Sequence, residues 1–303
     1  MKTRLLLAAL ALAGIAGVAQ ADEAVDLKNY KMAREYIKKE KVTVTVTVEQ
    51  AFAQDAILVV GEGVPKKGTT GAQRRLTALR AAEVSAQRAL AELLKGVSIV
   101  GETTVRDAEV ESDVIKSSVS AFIKGFSPVV KDWNEREESA LVILKVGMSG
   151  PRSFGAMMYE KILNEPKIKQ EVEKPAYVPP ADVPPPPAAP QAYDGLIIDA
   201  TAQSFRPALI NRIFSPNGQV LYDPAKISQK VLVEQGCGEY TNSVDKARAA
   251  LGKRGVKNPL VVTASGTVSP SDLQVAAATA NQIHAANLTS GFMADARVAF
   301  VLK

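Results

Sequence analysis

Residues 57–83 read ILVVGEGVPKKGTTGAQRRLTALRAAE: an apolar stretch, a glycine-rich loop with two lysines, then a helical pattern. Strand, glycine loop and helix in that order is the layout of a phosphate cradle, where backbone N–H groups and a lysine hold a nucleotide. The details fail. A phosphate loop needs G-x-x-x-x-G-K-[ST]; Gly63 and Gly68 have the spacing, but Thr69 stands where the lysine belongs. Pro65 removes an N–H donor, and a G-x-G-x-x-G reading fails because Lys66 takes the third glycine position. No nucleotide cofactor is expected. Four cations survive the test: Lys66 and Lys67 in the loop, Arg74 and Arg75 early in the helix, where positive charge opposes the macrodipole. Their ordinary reading is a solvated face. The sharper alternative is an anion- or small-ligand-binding module, or an acidic-partner contact, spanning residues 66–75 at the helix N-terminus.

The remaining reactive side chains are few. His284 is the single histidine, and any Ser-His-Asp or Cys-His site has to use it. It lies in an alanine-rich helical stretch, NQIHAAN, where a structural role is expected. Cys237, the single cysteine, sits between glycines in EQGCGEY and reads as a free thiol. One histidine and one cysteine do not supply the three or four ligands of a zinc site. Asp107, Glu109, Glu111 and Asp113 surround a helix start; they complement its dipole, with weak calcium binding as the alternative. Trp133 and Tyr177 form no stacking series of the kind single-stranded nucleic acid requires. No catalytic residue, metal ligand or cofactor is therefore assigned, and the chain is not expected to be an enzyme.

The elements around these residues follow from periodicity. VTVTVTV (42–48) alternates as a half-buried strand, and AILVVGEGV (56–64) reads as a second. From Thr70 to Lys95 the period becomes helical, with Leu76, Leu79, Ala82, Ala86, Leu90, Leu93 and Leu94 on one stripe and Gly96 as the stop. A strand over 97–105, a helix over 111–125 and a hairpin around Asn134 to Glu138 complete an N-terminal α+β domain. In the C-terminal part, strands are expected at 193–200, on both sides of Pro216-Asn217-Gly218, at 258–268 and at 296–303. Helices are expected from Ser243 to Lys253 and over 269–287, the latter with Pro270 at its first position. The reading is two small α+β domains, helices packed on mainly antiparallel sheets.

Composition frames them. Lys2 and Arg4, an apolar run from Leu5 to Val18 and Ala19-Gln20-Ala21 form an export leader over 1–21, with a mature start near Asp22. Losing Lys2 and Arg4 with the leader lowers the formal net charge from +5 to +3, too mild for nucleic acid. No second long apolar run marks an integral membrane segment after cleavage. With one cysteine, no intramolecular disulfide forms, which suits a bacterial periplasm. Residues 166–193 hold nine of the chain's seventeen prolines and read as an extended linker between domains at 22–165 and 194–303.

The stretch AQRRLTALRAAEVSAQRALAELLKGVSIVGETTV, the segment SDVIKSSVSAFIKGF and the hairpin after it resemble two related groups. These are the small envelope lipoproteins of the LPP type and the N-terminal domain of the bacterial flagellar assembly protein T. Arg80-Ala81-Ala82, the turn KGVSI–ETTV and the helix ending in Phe122 to Gly125 carry the likeness. GLIIDATAQSFRPALINRIFSPNGQVLY is similar to the second domain of longer members. No cysteine stands near residue 21, so the lipobox of the lipoproteins is missing. The resemblance implies a non-enzymatic, exported structural or interaction protein of the periplasm, in flagellar or outer-membrane-associated assembly. Its implied partners are envelope or flagellar basal-body proteins, or further copies of itself.

Overall fold

A computed structural model describes residues 27–181, 186–187 and 191–303. The expected export leader, residues 1–21, and the middle of the proline run lie outside the described residues. In chain order, the N-terminal part contains α1 (Lys31–Glu40), α2 (Val48–Ala53), β1 (Ala56–Gly63), α3 (Ala72–Lys95), β2 (Ser98–Val100) and β3 (Thr103–Thr104). It continues through α4 (Val105–Glu111), α5 (Asp113–Lys124), β4 (Val130–Asn134), β5 (Ser139–Gly147), α6 (Phe154–Ile162) and α7 (Pro166–Val172). Its main sheet is antiparallel in the order β1-β5-β4, with Val60 opposite Ile143 and Trp133 opposite Ala140. Helix α3 covers one face and α1 the other. The N-terminus of α1 has no cap of its own; the buried Asp132 carboxylate on β4 accepts the N–H groups of Met32 (2.8 Å) and Ala33 (3.2 Å) instead.

The glycines of GEG have a packing role. A Cβ on Gly61 would lie 2.2 Å from the Ala82 carbonyl oxygen, and one on Gly63 would lie 2.3 Å from that of Ala78. Backbone meets backbone here, so the helix offers its smallest face: Ala78, Ala82 and Ala86 at four-residue intervals, continued by Leu90 and Leu94. The buried stripe is thus rotated from the expected one, and Leu76 is 64% exposed. The 42–48 run also departs from expectation. It joins no strand ladder; only Thr45 reaches β1, donating its N–H to the Leu58 carbonyl (2.8 Å) and accepting the Leu58 N–H on Oγ1 (2.9 Å). The run stops because Thr47 and Gln50 form a capping box that turns Val48 into the first residue of α2.

The C-terminal part contains β6 (Gly195–Asp199), β7 (Arg212–Phe214), β8 (Val220–Tyr222), α8 (Gln229–Gln235), β9 (Glu239–Thr241) and α9 (Val244–Lys253). After them come β10 (Pro259–Thr263), β11 (Gly266–Ser269), β12 (Asp272–Gln274), α10 (Ala277–Ser290) and β13 (Val298–Val301). The mixed helix–strand composition is as expected, but the main sheet here is α/β in kind. It runs β10-β6-β13-β9 with every pairing parallel. The expectation of mainly antiparallel sheets therefore fails for this sheet, while it holds in the N-terminal part and for two of the three pairings of the second C-terminal sheet. The reason lies in LIID and VAFV: both central strands are covered on two faces, which demands a continuous apolar run. Ile197, Ala299 and Val301 meet α9, while Leu196, Ile198, Val298 and Phe300 face the main core.

A second sheet, β11-β12-β7-β8, corrects two further expectations. The stretch 258–268 breaks at Ala264 and Ser265 into strands of different sheets. The expected helix over 269–287 begins only at Ala277, because Pro270 and Ser271 turn the chain into β12. Asp272 is held there by Arg212, through Nε–Oδ1 at 2.9 Å and Nη2–Oδ2 at 2.6 Å. The linker is also shorter than its prolines imply. Pro166 occupies the first helical position, where its missing N–H costs nothing, and α7 buries Ile168 and Val172. Val220 then donates to the Pro175 carbonyl (2.8 Å) and Tyr177 to that of Val220 (2.9 Å). Residues 166–177 thus belong to the folded body.

The two parts share one core. Leu209 and Ile210 donate to the Ser98 and Ile99 carbonyls at 2.9 and 2.8 Å. The Tyr159 hydroxyl donates to the Leu209 carbonyl at 2.6 Å, and Phe52 meets Tyr240 edge-on at 5.1 Å. Among the described residues no helix is long and apolar enough to cross a membrane.

Candidate functional site

The loop between β1 and α3 spends its polar groups on itself. The Lys66 N–H goes to Thr77 Oγ1 (3.1 Å), and the Thr69 N–H and hydroxyl both go to the Lys66 carbonyl (3.2 and 2.6 Å). A cradle needs those donors turned outward. Arg74 is committed as well: its guanidinium pairs with Glu138 in the β4–β5 turn and donates to the Thr69 carbonyl at 3.3 Å. It fastens the loop to the hairpin. Lys67 and Arg75 are exposed. The four cations singled out from sequence therefore do not converge.

A different cation set does. Lys66, Arg80 and Arg88 border an open groove of about 710 Å³ between β1 and α3, beside Glu62 and with Val64, Ala81 and Val84 as its apolar lining; Arg80 also pairs with Glu83 at 3.6 Å. Arg80 and Arg88 lie eight residues apart with Val84 midway, which puts all three on one helix face. That spacing is present in RAAEVSAQR, beyond the loop and the helix start at residues 66–75. Val64 and Val84 are 69% and 40% exposed. Strand β1 is the edge of its sheet, paired on one side by β5; on the other, the chain near Thr45 covers only its Leu58 end.

The candidate nucleophile and base are both structural. Cys237 is buried, and desolvation pushes its thiol up to about 12, so it stays protonated. Tyr159, Tyr222 and Tyr240 surround it, and burial raises all three phenols well above their ordinary value. Each phenol has a fixed acceptor: Tyr222 donates to the Cys237 carbonyl at 2.6 Å and Tyr240 to that of Ala208 at 2.8 Å. His284 contacts Tyr177 edge-on at 5.6 Å, and burial, with help from Lys226, lowers its pKa and keeps it neutral.

The acidic run disperses too. Asp107 closes a capping box with Thr104, whose side-chain and backbone hydrogen bonds lower its pKa. Glu111 pairs with Lys167 at 2.8 Å. Among the described residues no cluster of three or more His, Cys, Asp or Glu side chains is placed to hold a metal ion.

No curated protein matches the chain. Residues 195–303, the part built on the parallel sheet, match the family model of the second domain of Treponema pallidum Tp0624.

Proposed function

We propose that this chain is an exported, non-enzymatic protein of the bacterial periplasm that works by surface recognition. Its groove between β1 and α3 receives an acidic, extended segment of an envelope partner. The observation that carries this reading is the row Lys66–Arg80–Arg88 beside an edge strand, over an apolar floor. An edge strand offers backbone pairing and the flanking side chains select sequence, a common mode of peptide capture; three cations favour carboxylates in the incoming strand. The leader pattern and the likeness to LPP-type lipoproteins and flagellar assembly protein T support export and an assembly role near the basal body or outer membrane. The inert states of Cys237 and His284 support a role without catalysis.

The test places a photo-cross-linking residue at Val84 in the exported protein and compares two charge reversals. Reversing Arg80 and Arg88 together should abolish the cross-link to an envelope protein, while Arg75→Glu should leave it intact. Equal cross-linking in both, or none in the parent, overturns the proposal. Titration with polyphosphate and with nucleotides separates it from the small-anion alternative, which requires binding that depends on Lys67 and Arg75.

A further inference from the structure

A second concavity, an open cleft of about 600 Å³, lies across α6 on the seam between the two parts of the chain. Phe122 and Phe126 at the end of α5 form one wall, and Leu232 and Val233 of α8 form the other. Met157 of α6 contributes to the floor. The aromatic wall is braced: Phe122 meets Phe126 at 4.7 Å and Phe154 at 5.6 Å. The volume falls within the range of small-molecule sites, and the lining joins this apolar body to a polar margin of Arg152, Ser153, Glu160 and Gln229.

One charge stands at the rim without a counterion. Arg152 is exposed, and among the described residues it makes no ion pair. It adopts φ = 65°, a left-handed conformation that non-glycine residues seldom take because the Cβ crowds the backbone. The neighbouring groups are otherwise engaged. Ser153 caps α6 by accepting the Ala156 N–H at 3.0 Å, and Glu160 pairs with Lys161 at 2.8 Å.

We infer that this cleft binds a single-chain amphiphile, with its alkyl body between the phenylalanine wall and α8 and its carboxylate at Arg152. Most of the walls and floor is helix, whose interior backbone groups are bonded internally, with Phe126, Arg152 and Ser153 in the flanking turns. An extended peptide laid there finds few backbone partners, whereas an alkyl chain requires none. Arg152 supplies the charge that a fatty carboxylate leaves unmatched in an apolar site. The site is separate from the β1–α3 groove.

The experiment uses the full exported chain and cis-parinarate as the fluorescent probe, displaced by hexadecanoate or by its neutral methyl ester. Saturable binding displaced by hexadecanoate is expected. Arg152→Gly should weaken hexadecanoate by about tenfold while leaving the methyl ester unchanged, and Arg152→Lys should restore most of the loss. Glycine also relieves the left-handed backbone, so this variant should melt no lower than the parent, and lost binding then reflects the lost cation. Met157→Trp, which fills the floor, should abolish binding of both ligands. A groove variant with Arg80 and Arg88 reversed should bind hexadecanoate normally. Absence of saturable probe binding overturns the inference, as does hexadecanoate affinity that ignores Arg152→Gly. Displacement of the probe by an amphipathic helical peptide but not by hexadecanoate would also overturn it, assigning the cleft to a protein helix.

Discussion

The two halves of this molecule close their interiors by opposite means. The N-terminal part does it with absence of side chain: Gly61 and Gly63 let Ala78, Ala82 and Ala86 bring the α3 backbone onto β1. Its buried acid, Asp132, serves two backbone N–H groups. The C-terminal part instead pairs a buried base with a buried acid. Arg212 and Asp272 are 4% and 1% exposed and form a two-bonded pair. Asp223 is 5% exposed with Oδ1 lacking any hydrogen-bond partner among the described residues. Steric fit tolerates no added atom, while a buried ion tolerates no lost partner. The two halves should therefore fail under different substitutions.

The largest effect is expected at Arg212. Replacing it by methionine leaves the Asp272 carboxylate buried and uncompensated, a change that costs about 3–5 kcal/mol. It also frees the Glu171 carbonyl that Arg212 holds on α7, and removes the guanidinium stacked 5.1 Å from the Phe214 ring centre. Urea unfolding measures the loss. The double variant Arg212→Met with Asp272→Leu should recover much of it, because removing both charges is far cheaper than stranding one. If the double variant is no better than the single, the contrast between the halves fails on its ionic side.

Next comes Gly61→Ala, which should cost about 1–3 kcal/mol through overpacking. The added methyl meets the Ala82 carbonyl and the Ala86 nitrogen, backbone atoms that cannot swing aside. Gly252 in α9 is the control, since a Cβ there meets nothing within 4 Å. Gly252→Ala should raise stability by about 0.5–1 kcal/mol from helix propensity. Similar melting changes at both glycines would mean that close approach to α3 does not govern β1.

How much of this was legible beforehand depended on whether a signal was local. The helices α3, α5 and α9 and the β4–β5 hairpin were readable because caps, stops and periodicity lie within each segment. The parallel sheet was not, since LIID and VAFV carry apolar residues on both faces and so give no period from which direction could be read. VTVTVTV misled because alternation describes side chains, whereas a strand needs a backbone partner, and only Thr45 finds one. The glycine loop misled in a more useful way. Its glycines matter, but toward α3 rather than toward a phosphate. The cation row was half visible as Lys66; Arg80 and Arg88 needed the helix face to be set against the β1 edge. Arg152 gave no signal, because neither its left-handed backbone nor the helices around it can be read from GPRS.

The subtlest contrast concerns pH and rests on Asp223. Burial raises its pKa above the ordinary 3.8, against the lowering influence of Lys226, the Ala225 and Lys226 N–H groups and Arg212. The folded chain thus holds a proton at pH values where the unfolded chain has released it. Stability contributed by this group is greatest below 3.8, falls as pH rises toward the folded pKa, and is level above it. Asp223→Asn removes that slope, so the variant should gain on the parent as pH rises from about 4 and keep a constant advantage near neutrality. Urea midpoints measured across this range provide the check. Asp132 is the informative counterpart: its Oδ2 accepts two N–H groups at the α1 N-terminus, so Asp132→Asn should be destabilising at neutral pH. Opposite signs at the two acids would mean that one half spends its buried carboxylate on a helix and the other carries it at a cost. Equal signs would mean that both acids serve their folds alike.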